Sequence, residues 1–172
     1  MTNDVLTFAK KLARLQPSGS MLEVGSRNIN GTLRDVLPIT LGIDMVEGKD
    51  VDEVLKAEDL PSLNMTFDHV VSADMLEHAE DWKGALTGMW SVLKPGGYFM
   101  LTACNRHKGR HAYPHDYWRF SPEIYAAVFQ DQETIAQETH NFNECILVRK
   151  MTGGLNLEVN AQMVDEVCRA RA

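Results

Sequence analysis

Short apolar runs separated by helix-period segments constrain this chain more than any other feature. Met21-Leu22-Glu23-Val24 and the runs 39–43, 67–72 and 98–103 have strand length. Between them lie a short periodic segment at 32–37, stopped by Pro38, and a longer one at 81–93, where Trp82, Ala85, Leu86, Met89, Trp90 and Leu93 share one side. A further helix is expected over 4–15 on Val5, Leu6, Phe8, Ala9, Leu12 and Leu15, ended by Pro17-Ser18-Gly19. Val54-Leu55 reads as a short third strand and 122–129 as a helix. The runs 134–139 and 145–148, joined by the turn-like Asn141-Phe142-Asn143, read as an antiparallel pair. The expectation is an α/β, Rossmann-like three-layer sandwich. Its seven-stranded, mostly parallel sheet should carry an antiparallel strand pair at the C-terminal end, and ligands should bind beyond the carboxyl ends of the strands, where strand order reverses.

A chain of 172 residues has room for one such core. Its 24 acidic against 17 basic residues speak against a protein that coats nucleic acid or an anionic membrane. Cys104, Cys145 and Cys168 are odd in number and far apart, so neither a disulfide framework nor a thiolate zinc site is indicated. No apolar run reaches bilayer length and the N-terminus lacks the order of a signal peptide, so a cytoplasmic protein is expected, monomeric or homodimeric.

Chemistry is sought just after each strand. The first runs into LEVGSRNING, where Gly25 permits close backbone approach and Asn30-Gly31 permits positive φ. Arg27 stands where the dinucleotide fingerprint has its second glycine, which argues against a pyrophosphate grip and so against an NAD-dependent oxidoreductase. Glu23 ends an otherwise apolar strand, and a carboxylate there needs a donor: a ligand amine, a hydroxyl or a backbone N–H. Asp44 ends the second strand 21 positions after Glu23, close to the spacing at which an acid takes ribose hydroxyls. In AEDLP, Glu58 and Asp59 flank a turn where an exocyclic adenine amine can donate to a carboxylate, although turn acids are common without a ligand.

Together these residues resemble the class I S-adenosylmethionine-dependent methyltransferases, in particular the methyltransferase type 11-like group. The resemblance runs from about residue 20 to 103, with a second patch at 113–122, and includes the block FDHVVSADMLEHAEDWKGALTGMWSVLKPGG. It implies a catalytic domain over 1–150 followed by a tail, 151–172, that caps the site, packs on a second copy or is disordered. It also implies S-adenosylmethionine as cofactor, with Glu23 and Gly25 at its amino-acid end, Asp44 at the ribose, and Asp59 with Leu60 at adenine. Ser26 and Gly31 of the same loop, Met45 and Ser72 complete the expected contacts.

Asp74, Glu77 and His78 follow the fourth strand. D-x-x-E is a capping box, which is the favoured reading, while the acid-x-x-E-H pattern is similar to the metal-binding residues of ubiquinone-biosynthesis O-methyltransferases. No metal is expected. Residues 104–120, CNRHKGRHAYPHDYWRF, carry a net charge of +3, either as a solvated loop or as a lid drawing an anionic acceptor. The PHDYWRF run resembles a segment of some type 11-like methyltransferases. His115 and then His78 are the expected bases, with Asp74 orienting the acceptor. Neither D/N-P-P-Y/F nor a Pro-Cys nucleophile occurs, so a nucleic-acid acceptor is not expected. The reading is methyl transfer to oxygen or nitrogen of a small-molecule or glycan-like acceptor. The alternative is a cofactor-binding module or inactive partner subunit without turnover.

Overall fold

The computed structural model of the chain describes residues 2–111, 115–159 and, as backbone only, 165–166. Its main sheet has the order β3-β2-β1-β4-β5-β8-β7. The strands are β1 Met21–Val24, β2 Leu41–Asp44, β3 Glu53–Val54, β4 Phe67–Ala73, β5 Leu93–Cys104, β7 Glu133–Thr139 and β8 Asn143–Arg149. Pairings from β3 to β5 are parallel, and β8 runs antiparallel to both β5 and β7. This is the expected seven-stranded α/β sandwich, and its strand order reverses between β1 and β4.

Period-2 alternation divides the apolar runs between two faces. Val70, Phe99, Leu101, Ile146 and Val148 pack with Trp82, Leu86, Met89 and Trp90 of helix α2 (Trp82–Val92) and with Ile124, Tyr125 and Val128 of helix α3 (Pro122–Val128). Their neighbours Met21, Val71, Met100, Cys145 and Leu147 pack with Val5, Phe8 and Leu12 of helix α1 (Asn3–Arg14). Helix α1 starts where Thr2 accepts from the Val5 N–H, and α2 starts where Asp81 accepts from the Gly84 N–H at 2.9 Å. Among the described residues no helix is long and apolar enough to cross a membrane.

Four elements differ from expectation. The segment 32–37 forms only a 3₁₀ turn, Leu33–Asp35, because Gly31 and Pro38 leave no length for a helix and Thr32 caps Arg34 directly. Ala57–Leu63, expected as a turn, is a 3₁₀ segment seated on α2 at Gly88, where a Cβ would lie 2.0 Å from the Ala57 carbonyl oxygen. Strand β5 begins at Leu93 rather than 98. Its Pro95-Gly96-Gly97 stretch stays in the sheet because Gly96 takes φ +79° and bare Gly97 lies against the Asp68 carbonyl. Last, β6 Trp118–Arg119 pairs antiparallel with β9 Asp165–Glu166. Residues 155–159 lie against the core: Leu155 and Leu157 pack on it, and Lys83 Nζ donates to the Leu157 carbonyl at 2.7 Å.

Candidate functional site

A cavity of about 1300 Å³ opens at the carboxyl ends of β1, β2, β4 and β5, on the switch between β1 and β4. It has two unlike halves.

The first half is made by β1, β2 and the loops after them. Gly25 takes φ +82°, and its N–H and that of Ser26 both donate to the Ile43 carbonyl at 2.9 Å. A Cβ at Gly25 would lie 2.6 Å from Met75 Cβ, so only glycine lets this loop close on the turn after β4. Asn28 holds the loop's far end, accepting from the Gly31 N–H at 3.0 Å and donating to Asp50 at 2.8 Å. Arg27 lies over Gly48, where a Cβ would be 2.8 Å from Arg27 Cγ, which explains how a large residue fits in a turn that elsewhere carries glycine. Glu23 is buried and its Oε2 has no hydrogen-bond partner. Burial raises its carboxyl to about 7, against the opposing pull of the Arg34 guanidinium. Asp44 accepts from the Val46 N–H at 3.0 Å through Oδ1 and lines the cavity beside Met45.

Glu23, Gly25, Ser26, Gly31, Asp44 and Met45 all line this half; Asp59, Leu60 and Ser72 do not. Asp59 is exposed, because the 3₁₀ winding of 57–63 turns Lys56, Ala57 and Glu58 to the cavity instead. Leu60 is a core residue, and Ser72 is buried with its hydroxyl donating to the Val24 carbonyl at 2.8 Å. That bond fastens β4 to β1 beneath the cavity floor.

The second half gathers titratable groups from β4, β5, β8 and the loop after β5. Asp74 has φ +52°, a left-handed conformation for a non-glycine residue, and its Oδ1 accepts from Thr102 Oγ1 at 3.1 Å and Asn143 Nδ2 at 2.6 Å. No capping box forms; the turn Leu76–His78 has no side-chain cap. Burial raises the Asp74 carboxyl, opposed by the Thr102 hydroxyl. Glu77 is fully buried with neither carboxyl oxygen hydrogen-bonded, and burial followed by the Asp74 charge raises it to about 7. His78 Nδ1 meets the His115 carbonyl. His115 itself is exposed, its ring tilted against Tyr117 at 5.7 Å.

The connection after β5 is pinned at Asp116 and Arg119, while Arg106, His107, Gly109, Arg110 and His115 are exposed. Arg119 is 4% exposed and grips Asp116 with both terminal nitrogens, at 2.5 and 2.6 Å, while donating to the Lys108 and Gly109 carbonyls. Burial acts to raise Asp116, but the Arg119 hydrogen bonds hold it below the usual carboxylate range. The pairing cancels two of the loop's charges, and Lys108 is the cation of this loop that lines the cavity among the described residues. His111, Lys108, Cys104 and Asn143 also line it and were not among the expected site residues. Asn143 stands 69 positions from Asp74, and no local pattern marks it.

Asp74, Glu77 and His78 do not form a converging ligand set. The groups whose donor atoms lie within 4.8 Å of one another are Glu77, Cys104 and His111, and His78, His111 and Asp116. In the first, burial and then Glu77 raise the thiol far above its usual range; in the second, the carboxylate already accepts from both terminal nitrogens of Arg119.

A parallel sheet with a cavity at its switch point, strand-end acids at Glu23 and Asp44, and a glycine-closed first loop defines a nucleoside-cofactor enzyme of the Rossmann-like class. Residues 6–101 match a family model described as Methyltransferase domain. The chain belongs to that family and is an S-adenosylmethionine-dependent methyltransferase. The ubiquinone biosynthesis O-methyltransferase of Xanthomonas axonopodis pv. citri (strain 306) is 29% identical over 187 residues, covering 93% of this chain and 72% of that protein. Among solved structures, the N-methyltransferase NodS from Bradyrhizobium japonicum WM9 superposes with a TM-score of 0.63 at 14% identity, over 86% of this chain and 95% of that one. TehB from Haemophilus influenzae does so at 0.66 and 13% identity, over 87% of this chain and 63% of that one. The solved structures share the fold. The unpartnered Glu23 oxygen, buried at the cavity wall, fits a group that brings a hydrogen-bond donor, such as the cofactor's amino-acid end.

Proposed function

We propose that the chain methylates oxygen or nitrogen of a small-molecule or glycan-like acceptor carrying an anionic group. The observation that carries this reading is the size of one continuous cavity with Lys108 at its wall. At about 1300 Å³ it exceeds the roughly 300–1,000 Å³ of a single-ligand pocket, leaving space for an acceptor beside the cofactor. The half holding Glu23 and Asp44 is assigned to the cofactor, with Gly25, Ser26, Gly31 and Met45 shaping it and Glu58, rather than Asp59, on the adenine side. The half holding Asp74, His78, His115 and Asn143 is assigned to the acceptor, with Lys108 drawing its anionic group.

S-adenosylmethionine, when bound, supplies a methyl group on a sulfonium with a neutral thioether as leaving group. The chain's own residues then mainly position, and orientation contributes up to about 7–11 kcal/mol. A base adds about 10²–10⁴-fold. Asp74, fixed by Thr102 and Asn143, offers its carboxyl edge to an acceptor hydroxyl or amine. The test is incubation with methyl-labelled S-adenosylmethionine and a panel of phenols, sugar phosphates, hydroxy acids and amines. Label should transfer to an acceptor bearing both an anionic group and a free O–H or N–H. Cofactor binding by calorimetry with no transfer to any panel member would favour a module without turnover of its own.

A further inference from the structure

The loop after β5 contains a structure that the assignment of the acceptor half leaves unused. Asp116 is completely buried at its side chain and is held on one side by both terminal nitrogens of Arg119. On the other side its Oδ2 accepts from the His111 backbone N–H at 2.8 Å and lies 3.3 Å from His111 Nδ1. The carboxylate therefore fixes the backbone of His111 and faces one nitrogen of its ring. Nδ1 is shielded from solvent, yet the side chain is 35% exposed and lines the cavity. The open edge of the ring is thus the one opposite Asp116. At 3.3 Å, a small ring rotation completes the Nδ1–H to Oδ2 bond, as bonds in ligand-free sites often require.

We infer that His111 is the base that takes the acceptor's proton, with Asp116 and Arg119 as its positioning residues; this rests on the methyl-transfer reading above. As the acceptor's lone pair forms its bond to the methyl carbon, the carbon–sulfur pair returns to sulfur and the O–H or N–H proton passes to His111 Nε2. The carboxylate behind the ring keeps the accepting nitrogen bare beforehand and stabilises the imidazolium afterwards. His78, in edge contact with His111 at 4.9 Å between ring centres, has the His115 carbonyl at its Nδ1 and, although a ring nitrogen comes within 4.8 Å of Asp116, makes no ion pair with it. A carbonyl orients a ring but brings no charge to stabilise its protonated form. His115 has neither. Burial lowers the His111 pKa despite the opposing pull of the Asp116 carboxylate, so the ring is neutral and able to accept near neutral pH.

The test has two arms on the full chain. In the first, nitrogen-15 spectra of the histidine rings are recorded on protein saturated with S-adenosylhomocysteine. His111 should be neutral with its proton on Nδ1, and Asp116→Asn should shift the proton toward Nε2. A wild-type ring that carries its proton on Nε2, or that is imidazolium near neutral pH, overturns the inference whether or not an acceptor is known. In the second arm, turnover of the acceptor found by the panel should fall about 10²–10⁴-fold in His111→Gln. S-adenosylhomocysteine affinity should hold, which also reports an intact fold. His78→Gln and His115→Gln should lose less. Full turnover in His111→Gln, or a greater loss in His78→Gln, overturns the inference while leaving the methyltransferase reading in place. Absence of transfer in every variant and in wild type would count against that reading, with the first arm still deciding the His111 geometry.

Discussion

The two halves of the cavity are built on opposite principles. Around Glu23 and Asp44, nearby backbone does most of the work: a glycine at positive φ, an Asx-type turn at Asp44, and a loop tied by Asn28 to residues 49 and 50. Around Asp74 and Glu77, buried side chains set the geometry, with Asn143 reaching Asp74 from 69 positions away and Arg119 closing on Asp116 within one loop. The lesson is that the geometry around Glu23 and Asp44 is set largely by nearby backbone, whereas around Asp74 and Asp116 it is set by buried polar side chains that a single substitution can unpair.

The contrast is broken most forcefully at Arg119. Arg119→Ala leaves Asp116 buried without its partner and should cost about 3–5 kcal/mol of stability in urea unfolding. A loss comparable to an ordinary surface substitution would mean that water already reaches the pair. Next is Glu77→Gln. Folding raises the Glu77 carboxyl from 4.5 to about 7, so in that window the folded protein holds a proton the unfolded chain has released, and its stability falls as pH rises. Removing the group should flatten this slope and gain on the order of 3 kcal/mol at mildly alkaline pH. Melting curves for both proteins from acid to alkaline buffer provide the check, and parallel slopes would contradict the claim. At the cofactor end, Asp44→Ala should weaken S-adenosylhomocysteine binding by a hydrogen bond to a charged group, about 1.5–3 kcal/mol or roughly 10–150-fold, with stability nearly unchanged. The smallest effect is expected one turn away. Asp59→Ala should leave calorimetric affinity within about 0.5 kcal/mol of wild type, as for a surface site, and a drop matching that of Asp44→Ala would place Asp59 at the adenine after all.

What the sequence revealed follows the same division. Strand runs such as 21–24 and 67–72 and the α2 face were legible because burial on one or both sides imposes apolar periodicity, and the place of Glu23 and Asp44 at the cavity because both acids stand at the carboxyl ends of adjacent strands beside the switch point. Asp59 was expected at the cavity and Glu58 lines it instead, for a local reason: a 3₁₀ segment winds tighter than a turn is assumed to, and one residue of rotation exchanges solvent for cavity. Gly88, the cause of that seating, looks in sequence like an ordinary helix weakness. The groups around His111 were beyond reach for a different reason. Nothing in PHDYWRF announces that Arg119 folds back onto Asp116, and nothing in the Asn141-Phe142-Asn143 turn announces that Asn143 ends at Asp74. The first meeting is local but follows no turn or capping pattern; the second depends on β5 and β8 lying side by side, with Cys104 opposite Asn143, a relation that appears only once the sheet is assembled.

The seat at Gly88 has a practical corollary. Helix α2 touches the cavity nowhere near that residue, so a survey of variants ranked by proximity to bound molecules would pass over it. Yet one added methyl there collides with the Ala57 carbonyl and displaces the stretch bearing Lys56, Ala57 and Glu58. A substitution at this inconspicuous helical position is therefore expected to reshape the cavity wall at Lys56, Ala57 and Glu58 without replacing any residue that lines it.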